Sequence, residues 1–140
     1  MDTTELAKKI VDKMYNNDPM SQWLRIERIS EGPGNSILRL KVRKEMLNGF
    51  GIAHGGITYS LADSALAFAS NGHGIHAVSI ETSISYVKPA IEGDVLTAEA
   101  REVNLTTKTG LYYITISNQH NQAVAHFKGT VFRTGKEWEV

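Results

Sequence analysis

With 140 residues, 41% hydrophobic and 21% charged, the chain has the proportions of one globular domain spanning 1–140. Fifteen basic side chains balance fifteen acidic ones, so neither a nucleic acid nor an acidic membrane is expected as a partner. The absence of cysteine excludes disulfides, thiolate metal sites and a thiol nucleophile. Residues Met1 to Glu5 lack the basic and apolar regions of a signal peptide, and no apolar run is long enough to cross a membrane. A cytoplasmic location is therefore expected.

A first helix is expected from about Thr4 to Asn16, capped by Thr3 or Thr4. Leu6, Ile10, Val11 and Met14 form its apolar stripe, and Asn17-Asp18-Pro19 ends it. From Trp23 the period changes to two: Leu24 and Ile26 share one face, Glu27 and Ile29 the other. Glu31-Gly32-Pro33-Gly34-Asn35 is a turn cluster, and Ser36 to Lys44 alternates again, which predicts a β-hairpin.

A glycine-rich loop, Asn48-Gly49-Phe50-Gly51, leads into a long helix from about His54 to Ser70. That helix is apolar on most sides, so a sheet is expected to wrap it. Its small residues Ala62, Ser64, Ala65, Ala67 and Ala69 permit close approach. Asp63 is the only acid between Glu45 and Glu81, and it stands in the middle of the helix. A carboxylate buried there is costly unless it is paired or serves chemistry. Asn71-Gly72-His73-Gly74 is the stop, with glycine suited to the helix C-terminus.

Four more strands are expected: His76 to Lys88, ended by Pro89; Gly93 to Asn104; Thr109 to Asn118; and Gln122 to Thr134. The tail from Gly135 to Val140 is polar apart from Trp138. Helix, two strands, long helix, four strands make an α+β layout with a mostly antiparallel sheet.

These residues resemble one family. Asn48, His54-Gly55-Gly56 and Asp63, the last eight residues after Gly55, are similar to the signature of the PaaI subfamily of hotdog acyl-CoA thioesterases. Ala77-Val78-Ser79, Tyr86-Val87-Lys88-Pro89-Ala90, Gly93-Asp94 and the run Phe127 to Lys136 extend the resemblance over roughly residues 20 to 138. It implies the hotdog fold, an antiparallel sheet wrapped around one long central helix plus a short N-terminal helix. It also implies hydrolysis of an acyl-CoA, arylacetyl or medium-sized, to free acid and coenzyme A. Coenzyme A is part of the substrate, and no separate cofactor is expected.

Thioester hydrolysis needs a polarised carbonyl and an activated oxygen nucleophile. Gly55 and Gly56 stand at a helix start, where the first N–H groups have no internal partner and carry the positive end of the dipole. That is a ready oxyanion site. Asp63 is the candidate general base or nucleophile. The eight residues from Gly55 to Asp63 span roughly 12 Å of helix, whereas both groups must lie about 3 Å from one reacting centre. One helix cannot supply both, so the site must join Gly55 of one chain to Asp63 of another in a homodimer. The resemblance implies the same arrangement, often with dimers paired into tetramers.

By the same resemblance, Asn48 orients the thioester or attacking water, and Ser79 positions water or substrate beside Asp63. Each has a plainer reading: Asn48 as a turn residue, Ser79 as a small polar core residue, Asp63 as a structural carboxylate. His54 is read as fixing the loop beside the substrate. Lys88, Lys128, Arg133 and Lys136 are candidates for coenzyme A phosphates, or solvated surface charges. Phe50, Tyr59, Phe68 and Tyr86 are candidates to line the acyl pocket. His73, His76, His120 and His126 make no metal pattern, and no metal is expected. Two other functions compete. An acyl-thioester dehydratase or hydratase would follow its histidine with Phe-Pro, where this chain has Gly-Gly. A non-catalytic acyl-CoA binder has no use for the Asp63 and Gly55 pair.

Overall fold

The computed structural model describes residues 1–140. Helix α1 spans Thr3–Asn16 and buries Ala7, Ile10 and Val11. Its cap is Asp2, which accepts from the Glu5 amide at 2.8 Å, and not Thr3 or Thr4. Aspartate caps as well as threonine, and here it also places a negative charge at the dipole's positive end. A second helix, α2 (Pro19–Trp23), follows where the sequence suggested only a stop. Asp18 caps it through the Ser21 amide at 3.0 Å, and Pro19 at its first turn has no N–H to leave unpaired.

Six strands follow: β1 (Glu27–Gly32), β2 (Asn35–Lys41), β3 (Ile75–Tyr86), β4 (Val95–Leu105), β5 (Thr109–Ser117) and β6 (Ala123–Glu137). They form one sheet in the order β1-β2-β4-β5-β6-β3, antiparallel throughout. Trp23 to Ile26 belongs to α2 and the turn after it, so β1 starts later than the alternation suggested. Between β2 and the central helix runs a single 3-10 turn, Lys44–Met46.

Helix α3 (Gly55–Asn71) lies on the concave face. Alternation along the strands delivers one apolar set to it: Leu38 and Leu40 from β2, Leu96 and Ala98 from β4, Tyr112, Ile114 and Ile116 from β5, Phe127 and Val131 from β6. The sheet comes very close where β6 passes the helix. A Cβ on Gly129 would fall 2.6 Å from Cδ2 of Leu66.

Wrapping is incomplete. Ile57, Leu61, Ala62, Ala65, Leu66, Phe68 and Ala69 are buried, but Gly56, Ser60, Asp63 and Ala67 leave an open stripe along one side. Asp63 is thus exposed in the chain, and its expected burial is corrected: the sheet closes on the side of the helix away from it. The helix end also differs. Gly72 keeps a right-handed φ of −62°, and the left-handed glycine is Gly74 at 99°. Gly72 has a steric reason instead, since a Cβ there would meet the Gly32 carbonyl oxygen at 2.7 Å.

Buried Asn71 ties this end together. Its amide donates to the carbonyls of Ala67 and Ala77 and accepts from the Ala77 amide and from Nε1 of Trp138. Trp138 in turn stacks on His76 at 4.0 Å, so the tail is docked. No helix is long and apolar enough to cross a membrane.

Candidate active site

The loop before α3 is built around Asn48. Its Oδ1 accepts from the amides of Phe50 and Ile52, and its own amide donates to the Ile52 carbonyl. A bridge between Leu47 and Ala53 closes the loop. Asn48 thus shapes the turn. Because the oxygen is occupied, Nδ2 is the end left without a partner in the chain. Phe50 rides the tip of this loop, 90% exposed.

The loop delivers His54 as the cap of α3. Nδ1 of His54 accepts from the Gly56 amide at 2.9 Å, so a neutral ring carries its proton on Nε2. The His54 carbonyl takes the Ile57 amide at 2.9 Å. Of the first three N–H groups of the helix, that of Gly55 alone has no partner within the chain. The Gly55 carbonyl accepts from the Tyr86 hydroxyl at 2.7 Å. Gly55, Thr58, Tyr86, Lys88 and Ala90 line a depression of about 310 Å³.

Asp63 opens elsewhere. With Ser79, Ser70, Ala77 and Met14 it lines a second depression, of about 280 Å³. The carboxylate makes no hydrogen bond or ion pair inside the chain. Although its side chain is open to solvent on one side, enough protein surrounds it to raise its pKa, first by desolvation and second by the charge of Asp18. Asp18 reaches this neighbourhood through a relay: its carboxylate accepts from the Ser21 hydroxyl at 2.6 Å, and Ser21 meets the Ser64 hydroxyl at 2.8 Å. An unpaired carboxylate with a raised pKa in a cleft has the character of a general base.

The structure thus brings Asp63 beside Ser79, and Gly55 beside His54, Gly56 and Lys88, but keeps the two groups in separate depressions. Lys128 pairs with Glu81 at 3.5 Å on the outer face of the sheet. Arg133 donates to the Thr106 carbonyl at 2.9 Å, which ties β6 to the loop after β4. Lys136 is exposed near the end of β6. Phe68 is a core residue, 1% exposed. Tyr59 packs edge-on against Phe127 at 5.1 Å and hydrogen-bonds Thr82. No three His, Cys, Asp or Glu side chains converge as metal ligands. Asp18 was not legible as part of the site. Its only sequence signal, Asn17-Asp18-Pro19, was read as the end of α1.

The model of the thioesterase superfamily matches residues 50–125. The acyl-coenzyme A thioesterase PaaI of Escherichia coli is 40% identical over 122 residues, which cover 87% of each chain. The solved E. coli PaaI structure, from the phenylacetic acid degradation operon, superposes with a TM-score of 0.95 at 37% identity, over 97% of this chain and 99% of that one. A Streptococcus mutans protein solved with bound acetyl-CoA superposes with a TM-score of 0.78 at 34% identity, over 81% of this chain and 91% of its own. Sheet order, central helix and sequence agree, and the chain belongs to the thioesterase superfamily as a PaaI-type hotdog acyl-CoA thioesterase.

Proposed function

We propose that the chain hydrolyses an arylacetyl- or other medium-sized acyl-CoA in a site shared between two copies, with Asp63 of one copy as base or nucleophile and the Gly55 N–H of the other as oxyanion donor. The observation that carries this reading is the separation of the two depressions on a single helix. Neither is a complete site, because one has a donor without a base and the other a base without a donor.

Two features of the chain support a second copy as the missing half. Strand β3 is an edge strand, paired only with β6, and twelve residues long. Val78 and Ile80 on it are 56% and 61% exposed. A long edge carrying apolar side chains is normally covered. The open stripe through Gly56, Ser60, Asp63 and Ala67 runs along the same side of the molecule as Ser79 of β3. Two copies joined along β3, with their central helices antiparallel, would set Gly55 of each beside Asp63 of the other. Pairing of such dimers into tetramers belongs to the same reading, as do contacts from Lys88, Lys128 or Arg133 to coenzyme A phosphates.

In this site the Gly55 N–H stabilises the oxyanion formed as the thioester carbonyl is attacked. Asp63 either removes a proton from water held by Ser79 or attacks the carbonyl carbon itself. Nδ2 of Asn48 and Nε2 of His54 are the donors left to orient the substrate. The E. coli PaaI and S. mutans relatives make coenzyme A thioesters the substrate class to test.

The test is release of free thiol from a panel of arylacetyl-, straight-chain and short acyl-CoAs, with Asp63→Asn as control. Hydrolysis by the wild type and its loss in the variant support the reading. Binding of acyl-CoA without hydrolysis by the wild type would make the chain a non-catalytic binder.

A further inference from the structure

The proposed oxyanion donor is held by more than a helix start. The peptide unit between Gly55 and Gly56 is gripped at both ends. Its carbonyl oxygen, on Gly55, accepts from the Tyr86 hydroxyl at 2.7 Å, and its N–H, on Gly56, donates to Nδ1 of His54 at 2.9 Å. The peptide just before it carries the Gly55 N–H that has no partner in the chain. Rotation of the gripped peptide would swing that N–H, because the two share the Gly55 Cα.

Glycine is the residue most able to rotate in this way. A Gly-Gly start would leave the donor loosely aimed, and an oxyanion donor works by being aimed before reaction. We infer that Tyr86 is a positioning residue of the oxyanion site, clamping the Gly55–Gly56 peptide against His54 so that the Gly55 N–H points at the substrate carbonyl.

Four observations bear on this. Tyr86 and Gly55 line the same depression, so the clamp sits beside the substrate space and not in the core. The hydroxyl fills the place a side chain on Gly55 would occupy: a Cβ there would lie 2.9 Å from the phenol oxygen and 3.1 Å from its ring carbon. Partial desolvation and the neighbouring Tyr59 raise the pKa of Tyr86, and a phenol is a donor across the neutral range even at its ordinary value. Tyr86 ends β3, immediately before the turn through Val87 and Lys88, whose amides both bond the Val124 carbonyl. The ring is thereby anchored to the sheet while its hydroxyl holds the helix. The inference rests on the thioesterase reading, since it assigns Gly55 the oxyanion.

The test uses Tyr86→Phe, which keeps the ring and removes only the hydroxyl. Expected is a fall in kcat of about tenfold with KM changed less than about twofold, as for loss of one hydrogen bond that acts on the transition state. Two substrate analogues separate aiming from general disorder. A thioether analogue lacks the carbonyl, and its affinity should be unchanged. A ketone analogue, with methylene in place of sulfur, keeps the carbonyl. Its isotope-labelled stretch, lowered on binding to the wild type, should return toward the free value in the variant.

Gly55→Ala, which pushes the hydroxyl away, gives a second reading, because adding Tyr86→Phe to it should then cost little more. An unchanged kcat and carbonyl stretch in Tyr86→Phe, or equal weakening of both analogues, would overturn the inference while leaving the thioesterase reading intact. Absence of hydrolysis by the wild type would overturn that reading, and this inference with it.

Discussion

Gly55 and Asp63 stand on one helix yet open into two depressions, Gly55 beside Tyr86 and Asp63 beside Ser79. The relationship predicts complementation. A chain carrying Asp63→Asn and a chain blocked at Gly55 should each be inactive alone. Mixed dimers rebuild one intact site of two, so a statistical mixture should recover about a quarter of wild-type activity and purified mixed dimers about half. Inactive mixed dimers, verified by mass, would show that no site is shared.

Asp63→Asn alone should lower kcat by about a hundredfold or more, the usual contribution of a positioned base. Ser79→Ala, which leaves the carboxylate in place, should cost less. Steady-state thiol release measures both.

Asp63 titrates above its ordinary value, because of desolvation first and Asp18 second. In the proposed role Asp63 works only when ionised, so the acidic limb of the pH–rate profile should lie above the ordinary aspartate value. Asp18→Asn removes the neighbouring charge and should shift that limb to lower pH. A limb that stays in place in Asp18→Asn would remove Asp18 from the tuning of this site.

The same shift carries a stability consequence with a definite sign. A raised carboxylate pKa means that the folded chain binds the proton more tightly than the unfolded chain. Folding is then penalised as pH rises from the unfolded toward the folded pKa, and the penalty is complete above it. Asp63→Asn lacks the penalty. Its Tm should exceed that of the wild type at neutral pH, and the difference should vanish at pH below the ordinary carboxylate value. Melting curves at several pH values decide this.

Gly129 is set by packing. A Cβ there would lie 2.6 Å from Cδ2 of Leu66, a side chain that is 1% exposed and would have to shift. Gly129→Ala should therefore destabilise by about 1–3 kcal/mol, the range for overpacking a core, seen as a lower denaturation midpoint. Little change in the midpoint would mean that helix and sheet can separate at this point.

Asn71 offers a contrasting polar case. Its amide serves α3, β3 and Trp138 at once. Asn71→Ala leaves the Ala77 N–H and the Trp138 indole unpaired, at a cost of about 1–3 kcal/mol for each one that stays buried. Loosening of Trp138 should also shift its fluorescence toward that of exposed indole.

Local pattern was enough for the frame. Period-two segments located β2, β4, β5 and β6 to within a few residues, and an apolar run between an Asn-Gly loop and Gly72 located α3. The positions of Gly55 at the start of α3 and of Asp63 in its middle were legible for the same reason, since both depend on position along one helix. Helix α2 was missed because five residues are too few to show a period, and its proline read as a stop. Trp138 gave no sign of docking, since its partners His76 and Asn71 lie more than sixty residues away in the chain.

The sequence by itself determined that Gly55 and Asp63 cannot meet within one chain, because helical rise is a property of the backbone whatever surrounds it. Only the tertiary structure decided which side of α3 stays open, and so that Asp63 is exposed in the chain where its apolar flanks suggested burial. It also decided that Tyr86, thirty-one residues after Gly55, takes that residue's carbonyl. Such a contact follows from where β3 ends against the helix start, and side-chain spacing along the chain carries no record of that.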